Sequence, residues 1–119
     1  MHPHKHRVLI VEDDPEIRAA LEDLMVGEGY DVSLASNGAD AIELLEDDGD
    51  LPCAVLVDLV MPGMVGQELL EFLSSDSTLS AIPVAIVSAS PQLAPRGYTV
   101  FKKPLDLPPL LDFVKHVGA

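Results

Sequence analysis

Carboxylates follow two of the apolar runs in this sequence. Three of them occupy positions 12–14, directly after the run 8–11, and Asp58 directly follows the run 54–57. Several anions held within a few ångströms of one another repel strongly unless a cation lies between them. Because oxygen ligands suit Mg²⁺, the pattern predicts a metal site where the ends of these two runs meet.

A serine and two lysines follow the later apolar runs. Ser88 comes after the run 84–87, and Lys102 and Lys103 come after the weaker run 98–101. A lysine supplies a point charge and a hydroxyl supplies a hydrogen-bond donor, which together with a metal are what a phosphoryl group needs. Side chains alternate along a strand, so only one of the two lysines can face such a site.

Asp58 is the strongest candidate when each residue is taken alone. It ends a run that is apolar throughout, where an uncompensated buried charge would cost several kcal/mol, so a functional role is favoured. Its carboxylate could attack phosphorus in line. Glu12 and Asp13 could instead favour the positive end of a following helix, and Asp14 fits the position of a helix N-cap.

The elements that must position these residues alternate along the chain. The apolar runs predict five strands, and three of the runs are continuously apolar, which is typical of a parallel sheet covered on both faces. Helical periodicity separates most of them and closes the chain. The strands are predicted at 8–11, 32–35, 54–57, 84–87 and 98–101. The first helix is predicted from Pro15 to either Gly27 or Gly29, and the others at 40–47, 66–74 and 107–117. This order predicts a doubly wound α/β domain, in which ligands bind beyond the carboxyl ends of the strands.

The connection between the fourth and fifth strands is short. It holds about a dozen residues, including Pro91 and Pro95, so at most one or two helical turns can form, and residues 89–97 should be the least regular part of the domain. Such a thin crossover would leave apolar sheet surface under-covered. We therefore expect a partner or a second copy of the chain to dock there, with Leu93 and Tyr98 as contacts.

Composition narrows the classes of ligand and location. The chain has 119 residues, which fits one domain, and Asp+Glu 20 against Lys+Arg 7 gives a net charge of −13. That charge would repel a phosphate backbone, so we expect no direct binding to nucleic acid. One cysteine, Cys53, precludes an intrachain disulfide and a multi-cysteine metal site. Without a long apolar run or a signal peptide, the protein is expected to be cytoplasmic and free of the membrane.

Four motifs at the predicted strand ends resemble the receiver domains of two-component response regulators, in which an aspartate accepts a phosphoryl group from a phosphohistidine. The resemblance extends along the whole chain, and four motifs in the right order are specific where any one would be weak. The motifs lie at residues 11–15, 57–66, 88–89 and 103–104. The resemblance implies a flavodoxin-like five-stranded parallel sheet in the order 2-1-3-4-5, with a shortened or irregular helix before the last strand.

The resemblance also implies a role for each residue at the site. Asp58 is then the phosphoacceptor, and Ser88 and Lys103 contact the phosphoryl group. The implied Mg²⁺ ligands are Asp13, Asp14, Asp58 and the backbone carbonyl of Val60. The residues that could support the site are Glu12, Ala89, Phe101 and Pro104.

The partners and organisation implied are those of a stand-alone receiver. We expect a single domain over residues 1–119, with residues 1–6 disordered, and phosphorylation by a sensor histidine kinase or a histidine phosphotransfer protein. Output would come from docking on another protein or from a further domain of a longer chain, and a second copy of this chain, giving a homodimer, is an alternative docking partner. The chain would not be an enzyme beyond catalysing its own phosphorylation and dephosphorylation.

Two departures from the family and two alternative functions stay open. Val100 occupies the position where the family usually has an aromatic switch residue, and the stretch from Ser88 to Lys103 is shorter than expected. One alternative is a pseudo-receiver that acts only through protein contacts. The other is a phosphohydrolase of the haloacid dehalogenase type, which needs a second aspartate two residues after the nucleophile, where this chain has Val60.

Overall fold

Five parallel strands form a twisted sheet at the centre of the molecule. A computed structural model of the chain describes residues 7–46, 51–58, 66–89, 91–103 and 106–117. The strands are β1 (Arg7–Val11), β2 (Asp31–Ala35), β3 (Ala54–Asp58), β4 (Val84–Ser88) and β5 (Thr99–Lys102). Their order in the sheet is β2-β1-β3-β4-β5, and every neighbouring pair is parallel. The predicted topology is therefore confirmed.

Four α-helices cover the two faces of this sheet. They are α1 (Pro15–Gly27), α2 (Gly38–Glu46), α3 (Gly66–Ser74) and α4 (Leu107–Val117). Helices α1 and α4 pack on one face, and their core includes Leu21, Met25, Leu110 and Val114. Helices α2 and α3 pack on the other face, and their core includes Ala41, Leu45, Leu69 and Leu73. Because both faces are covered, all five residues of β3 are buried, which is why that run is apolar until its last residue.

Helix α1 begins directly after the carboxylates that follow β1. The Asp14 carboxylate accepts hydrogen bonds from the backbone N–H groups of Glu16 and Ile17, at 2.9 and 3.3 Å, and Pro15 stands at the first helical position. These are an N-cap and a first-turn proline in their usual places. The chain then turns into β2 through Gly29, whose φ of +93° favours glycine.

The crossover between β4 and β5 is the thinnest part of the fold. Among the described residues it contains a single 3₁₀ turn, Pro91–Leu93, in which the Ala94 N–H donates to the Pro91 carbonyl at 3.1 Å. Ala94, Tyr98 and Val100 are half-buried against the α2–α3 core. The prediction of at most one or two helical turns is confirmed, and docking on this surface stays a prediction.

Some predictions concern residues outside the described ranges. These are the disordered terminus at residues 1–6, the backbone carbonyl of Val60 as a metal ligand, and Pro104 as a supporting residue of the site. The side chain of Leu93, predicted as a docking contact, also lies outside the description. None of the described helices is long and apolar enough to cross a membrane.

Candidate functional site

Three carboxylates meet at the carboxyl edge of the sheet. Ligand oxygens of Glu12, Asp13 and Asp58 lie within 4.8 Å of one another. The sheet brings them together because β1 and β3 are neighbours and Val11 pairs with Val57, so the residues that follow each strand emerge side by side. Asp58 is more than 40 residues away from Glu12 and Asp13 in sequence, and the register of β1 with β3 brings it next to them.

The cluster is buried on one side and open on the other. Glu12 is 2% exposed and Asp58 is 8% exposed, whereas Asp13 lies at the surface. Buried carboxylates are retained in proteins where a cation or hydrogen-bond donors compensate their charge. The exposed side at Asp13 leaves an approach from solvent.

Lys103 provides one compensating charge. Its Nζ lies 2.8 Å from Glu12 Oε1 and 3.1 Å from Asp58 Oδ2, and the lysine side chain is 16% exposed. The backbone places it there: the Lys103 N–H donates to the Ser88 carbonyl at 2.9 Å, which continues the pairing of β4 with β5 by one residue. Lys102, on the opposite side of the strand, is exposed.

The charges of the cluster are strongly coupled. Burial raises the pKa of Glu12 to about 7, and the nearby charge of Asp58 adds to this, although hydrogen bonds from Lys103 and from the Asp14 backbone partly offset the rise. Burial lowers the pKa of Lys103, but hydrogen bonds to Glu12 and Asp58 outweigh it, so the net pKa is raised. Lys103 therefore stays protonated at neutral pH while Glu12 is poised to exchange a proton.

Asp14 does not join the cluster. Its carboxylate is exposed and caps α1, which is one of the two roles that the sequence predicted for it. Its backbone N–H donates to Glu12 Oε2 at 3.1 Å. The acidic pair that faces Asp58 is thus Glu12 and Asp13, one position earlier than the pair implied by the resemblance. The physical reason is that β1 ends at Val11, so residue 12 enters the site and residue 14 is already at the helix boundary.

Arg18 is a residue of this region that sequence reasoning missed. Its Nη1 donates to the backbone carbonyl of Glu12 at 2.9 Å and lies 3.5 Å from that of Asp13. The signal was available: a side chain in the second turn of a helix leans toward the N-terminus, so an arginine four residues after the cap can reach the preceding loop. Arg18 ties the loop that carries both acids to α1.

Ser88 and Ala89 lie at the end of β4, and Phe101 packs into the core of the domain. Ser88 is 2% exposed at the end of β4, next to the Val87 that pairs with Asp58, and Ala89 follows it at the surface. Phe101 packs on the α1–α4 face, where its ring meets that of Phe113 edge-on with centroids 6.0 Å apart. It therefore points into the core rather than toward the acids.

The tyrosine at position 98 and Val100 occupy the opposite face from Phe101. Both are half-buried against the α2–α3 core. The position where the family usually has an aromatic switch residue thus holds a small aliphatic side chain, with Tyr98 as the aromatic nearest to it in sequence on that face.

Comparison with known proteins identifies relatives over most of the chain. The family model described as the response regulator receiver domain matches residues 8–111. Protein PilH of Pseudomonas aeruginosa is 38% identical over 86 residues, which are 72% of this chain and 69% of PilH. Five further curated relatives are longer, and the chain spans 34 to 56% of their length.

Solved structures share the fold over nearly the whole chain. The receiver domain of the hybrid histidine kinase CckA superimposes with a TM-score of 0.80 at 29% identity, covering 95% of this chain and 99% of that one. The receiver domain of the sensor histidine kinase PA1611 from Pseudomonas aeruginosa superimposes with a TM-score of 0.85, covering 98% of this chain and 100% of that one. At 21% identity this second likeness shows the fold, and that structure has a magnesium ion coordinated in its active site cleft.

Proposed function

Because the chain belongs to the response regulator receiver domain family, we propose that it accepts a phosphoryl group on Asp58 and thereby changes its contacts with other proteins. The observation that carries the proposal is the position of Asp58. It is a carboxylate only 8% exposed, 3.1 Å from the Lys103 ammonium, in a cluster with two further acids. A structural core position would not gather this set of charges.

The transfer itself needs little more than positioning. One Asp58 oxygen forms a bond to phosphorus, the bond from phosphorus to an imidazole nitrogen of the donor breaks, and that nitrogen keeps the electron pair and later takes a proton. The donor class is a phosphohistidine, on a sensor histidine kinase or a histidine phosphotransfer protein. The occurrence of similar receiver domains in the histidine kinases CckA and PA1611 supports this partner class.

The acidic cluster fits a divalent cation. Glu12, Asp13 and Asp58 offer hard oxygen ligands within 4.8 Å of one another, and Mg²⁺ favours such ligands. We assign these three as the residues that would hold it, with the Asp14 carboxylate excluded because it caps α1. A bound Mg²⁺ would neutralise the oxygens of the phosphoryl group.

Lys103 and Ser88 would complete the phosphoryl site. The ammonium of Lys103 lies 3.1 Å from an Asp58 oxygen and would form an ion pair with the phosphoryl group after transfer. Ser88 ends the neighbouring strand, where a hydroxyl can donate to a phosphoryl oxygen. The thin crossover between β4 and β5 leads from Ser88 to Lys103. Phosphorylation would change the conformation of this crossover by moving these two side chains.

The two alternative functions are less well supported. A pseudo-receiver would not need the buried acids Glu12 and Asp58 or the lysine between them. Buried charges of this kind destabilise a fold unless they are well compensated. A hydrolase would need a proton donor for its leaving group, and Val60 stands where that acid is expected. We propose that the only chemistry of the chain is its own phosphorylation and dephosphorylation.

Incubation with acetyl phosphate and Mg²⁺, read by intact mass spectrometry, tests the proposal. The wild-type chain should gain the mass of one phosphoryl group, and Asp58→Ala should gain none. Asp112→Ala is the matched control, because Asp112 is an exposed acid on α4, and it should behave as wild type. Phosphorylation of Asp58→Ala would show that the nucleophile is misassigned. An unmodified wild type would favour the pseudo-receiver. In a parallel incubation with a phosphate ester in place of acetyl phosphate, continuous release of inorganic phosphate would favour the hydrolase.

A further inference from the structure

Charge is segregated along this chain. Residues 19–95 contain no Lys, Arg or His, yet they contain 14 of the 20 Asp and Glu residues. In the fold, this stretch supplies β2 and α2 at one edge of the sheet, which carry four of these acids, Asp31, Asp40, Glu43 and Glu46, whereas Arg96, Lys102 and Lys103 accompany β5 at the other edge. The β2 edge of the molecule is therefore strongly anionic.

An open groove lies at this anionic edge, between β2 and α2. It has a volume of about 620 Å³. Two leucines and three acids line it: Leu34, Asp40, Glu43, Leu44 and Glu46. β2 is an edge strand, paired only with β1 in the described sheet, so the groove runs beside a strand that can still accept a neighbour.

Both leucines of the groove are exposed to solvent. Leu34 is 37% exposed and Leu44 is 42% exposed, although other positions of the same elements are buried in the core, such as Ala35 in β2 and Ala41 and Leu45 in α2. Core packing therefore does not account for leucine at positions 34 and 44. Leu34 and Leu44 therefore present apolar surface to the groove, and the three acids of its lining lie around that surface.

We propose that this groove binds a cationic segment of a partner protein. An apolar side chain of that segment would lie between Leu34 and Leu44, and its Lys or Arg residues would pair with Asp40, Glu43 and Glu46. The segment 19–95 holds no cation of its own that could serve these acids. Nucleic acids and anionic lipid surfaces are disfavoured as occupants, because their phosphates would be repelled by the same carboxylates.

A second copy of the chain is the main competing occupant. Its exposed Arg96 and Lys102 lie at the β5 edge, so such a contact would join opposite edges of two copies. A head-to-tail contact of this kind is heterologous and would produce either a closed ring or a growing chain of molecules, according to the rotation between copies. Self-association would therefore be visible as an apparent mass that rises with protein concentration.

NMR titration of the ¹⁵N-labelled chain with a synthetic peptide of lysines and leucines tests the proposal. The control peptide has the same lysines with every leucine replaced by serine. We expect saturable shifts confined to residues 34–46 with the first peptide, and binding at least about tenfold weaker with the second, because it lacks the apolar anchor. Equal binding of both peptides would reduce the groove to a non-specific charged surface and overturn the proposal.

Variants at the groove separate its two components. Leu44→Ser should weaken binding about tenfold, and Glu43→Gln should weaken it a few-fold and flatten its dependence on salt. The controls are Val26→Ser, which removes a more exposed apolar residue on α1, and Glu71→Gln, which removes an exposed acid on α3. The proposal fails if the controls weaken binding as much as the groove variants, or if light scattering without peptide shows concentration-dependent growth that Leu44→Ser abolishes.

Discussion

Two lysines of this molecule make carboxylate contacts of almost the same length in very different surroundings. Lys103 Nζ lies 2.8 Å from Glu12, with side chains that are 16% and 2% exposed, whereas Lys115 Nζ lies 2.9 Å from Glu28, with side chains that are 52% and 38% exposed. The distance alone does not distinguish them. Burial does, because water screens the second contact and can solvate either partner if the other is lost.

The two contacts also differ in what they change. At the surface, the hydrogen bond from Lys115 to Glu28 raises the pKa of that lysine, and the contact joins α4 to the end of α1. At the sheet edge, burial raises the pKa of Glu12 to about 7, and Lys103 contacts a second acid, Asp58. The buried contact therefore holds three coupled charges whose states depend on one another, which a phosphoryl group or a metal ion can alter. The exposed contact offers a ligand no comparable set of coupled charges to alter.

Removal of each lysine should reveal the largest difference between the buried and the exposed contact. Lys103→Ala leaves Glu12 and Asp58 buried without their cation, so we expect a loss of about 3 kcal/mol in the free energy of unfolding at pH 8. Lys115→Ala should have little effect because its partner is solvated. Urea denaturation of both variants gives the values. A Lys103→Ala chain as stable as wild type would mean that the acids are compensated by other groups.

The pH dependence of the free energy of unfolding should also distinguish the buried contact from the exposed one. The folded pKa of Glu12, about 7, lies above the ordinary glutamate value, so the folded state holds its proton more tightly than the unfolded state. The resulting stabilisation is complete below the unfolded pKa and is lost as the pH rises from about 4.5 to about 7. Denaturation at several pH values should therefore show a wild-type decline over this interval that Glu12→Gln reduces.

Glu28→Gln is the control for that series. It removes the acid of the exposed contact and should leave the decline with pH in place. If Glu12→Gln and wild type had parallel profiles, the titrating group would be another residue, and the assignment to Glu12 would be wrong.

Magnesium should stabilise the buried cluster and not the exposed contact. At ten times its dissociation constant, a ligand specific to the native state adds about 1.4 kcal/mol. Asp13→Asn should reduce this gain, because Asp13 belongs to the cluster, whereas Asp14→Asn should preserve it, because Asp14 caps α1. Thermal melts with and without Mg²⁺ measure the gain. A loss with Asp14→Asn but not with Asp13→Asn would restore the ligand pair implied by the resemblance.

Arg18 should have the smallest of these effects. Arg18→Ala removes the donor to the Glu12 and Asp13 carbonyls and should weaken Mg²⁺ binding a few-fold by loosening the loop, with a stability loss of about 1 kcal/mol. Arg18→Lys should recover part of the affinity. Isothermal calorimetry with Mg²⁺ provides the measurement, and Arg96→Ala, an exposed arginine in the β4–β5 crossover, serves as the control. Identical Mg²⁺ affinity in all four proteins would limit Arg18 to a structural role.

Regular elements of this protein were predictable from local pattern. The bounds predicted for α3 and α4 agree with Gly66–Ser74 and Leu107–Val117. Strands β1 to β4 each differ from their predicted bounds by one residue at one end, and β5 differs by one residue at both ends. Apolar periodicity and the placement of Pro and Asp report directly on burial and helix ends, so they specify elements well. The two prolines in the β4–β5 crossover likewise excluded a regular helix there.

The composition of the site was decided partly by tertiary structure. Residue types and their places after the strands were enough to single out Asp58 and to predict that other acids and one lysine lie near it, because the parallel order brings strand ends to one edge. The choice of Asp13 and Lys103 came from the resemblance to receiver domains. Which acid accompanies Asp13 depended on where β1 ends and α1 begins, a difference of one residue that sends Glu12 inward and leaves Asp14 as the cap.

The consequences of contacts between residues far apart in sequence were not predictable from local pattern. The raised pKa of Glu12 comes from burial beside Asp58 and Lys103, and the β2–α2 groove comes from the edge position of β2. Local pattern encodes which face of an element is buried, but not which distant side chains share that burial. In this protein the sequence by itself determined the elements and the candidate charges, and the packing of five strands decided which charges meet, because desolvation and Coulomb interactions depend on distances that only the folded chain defines.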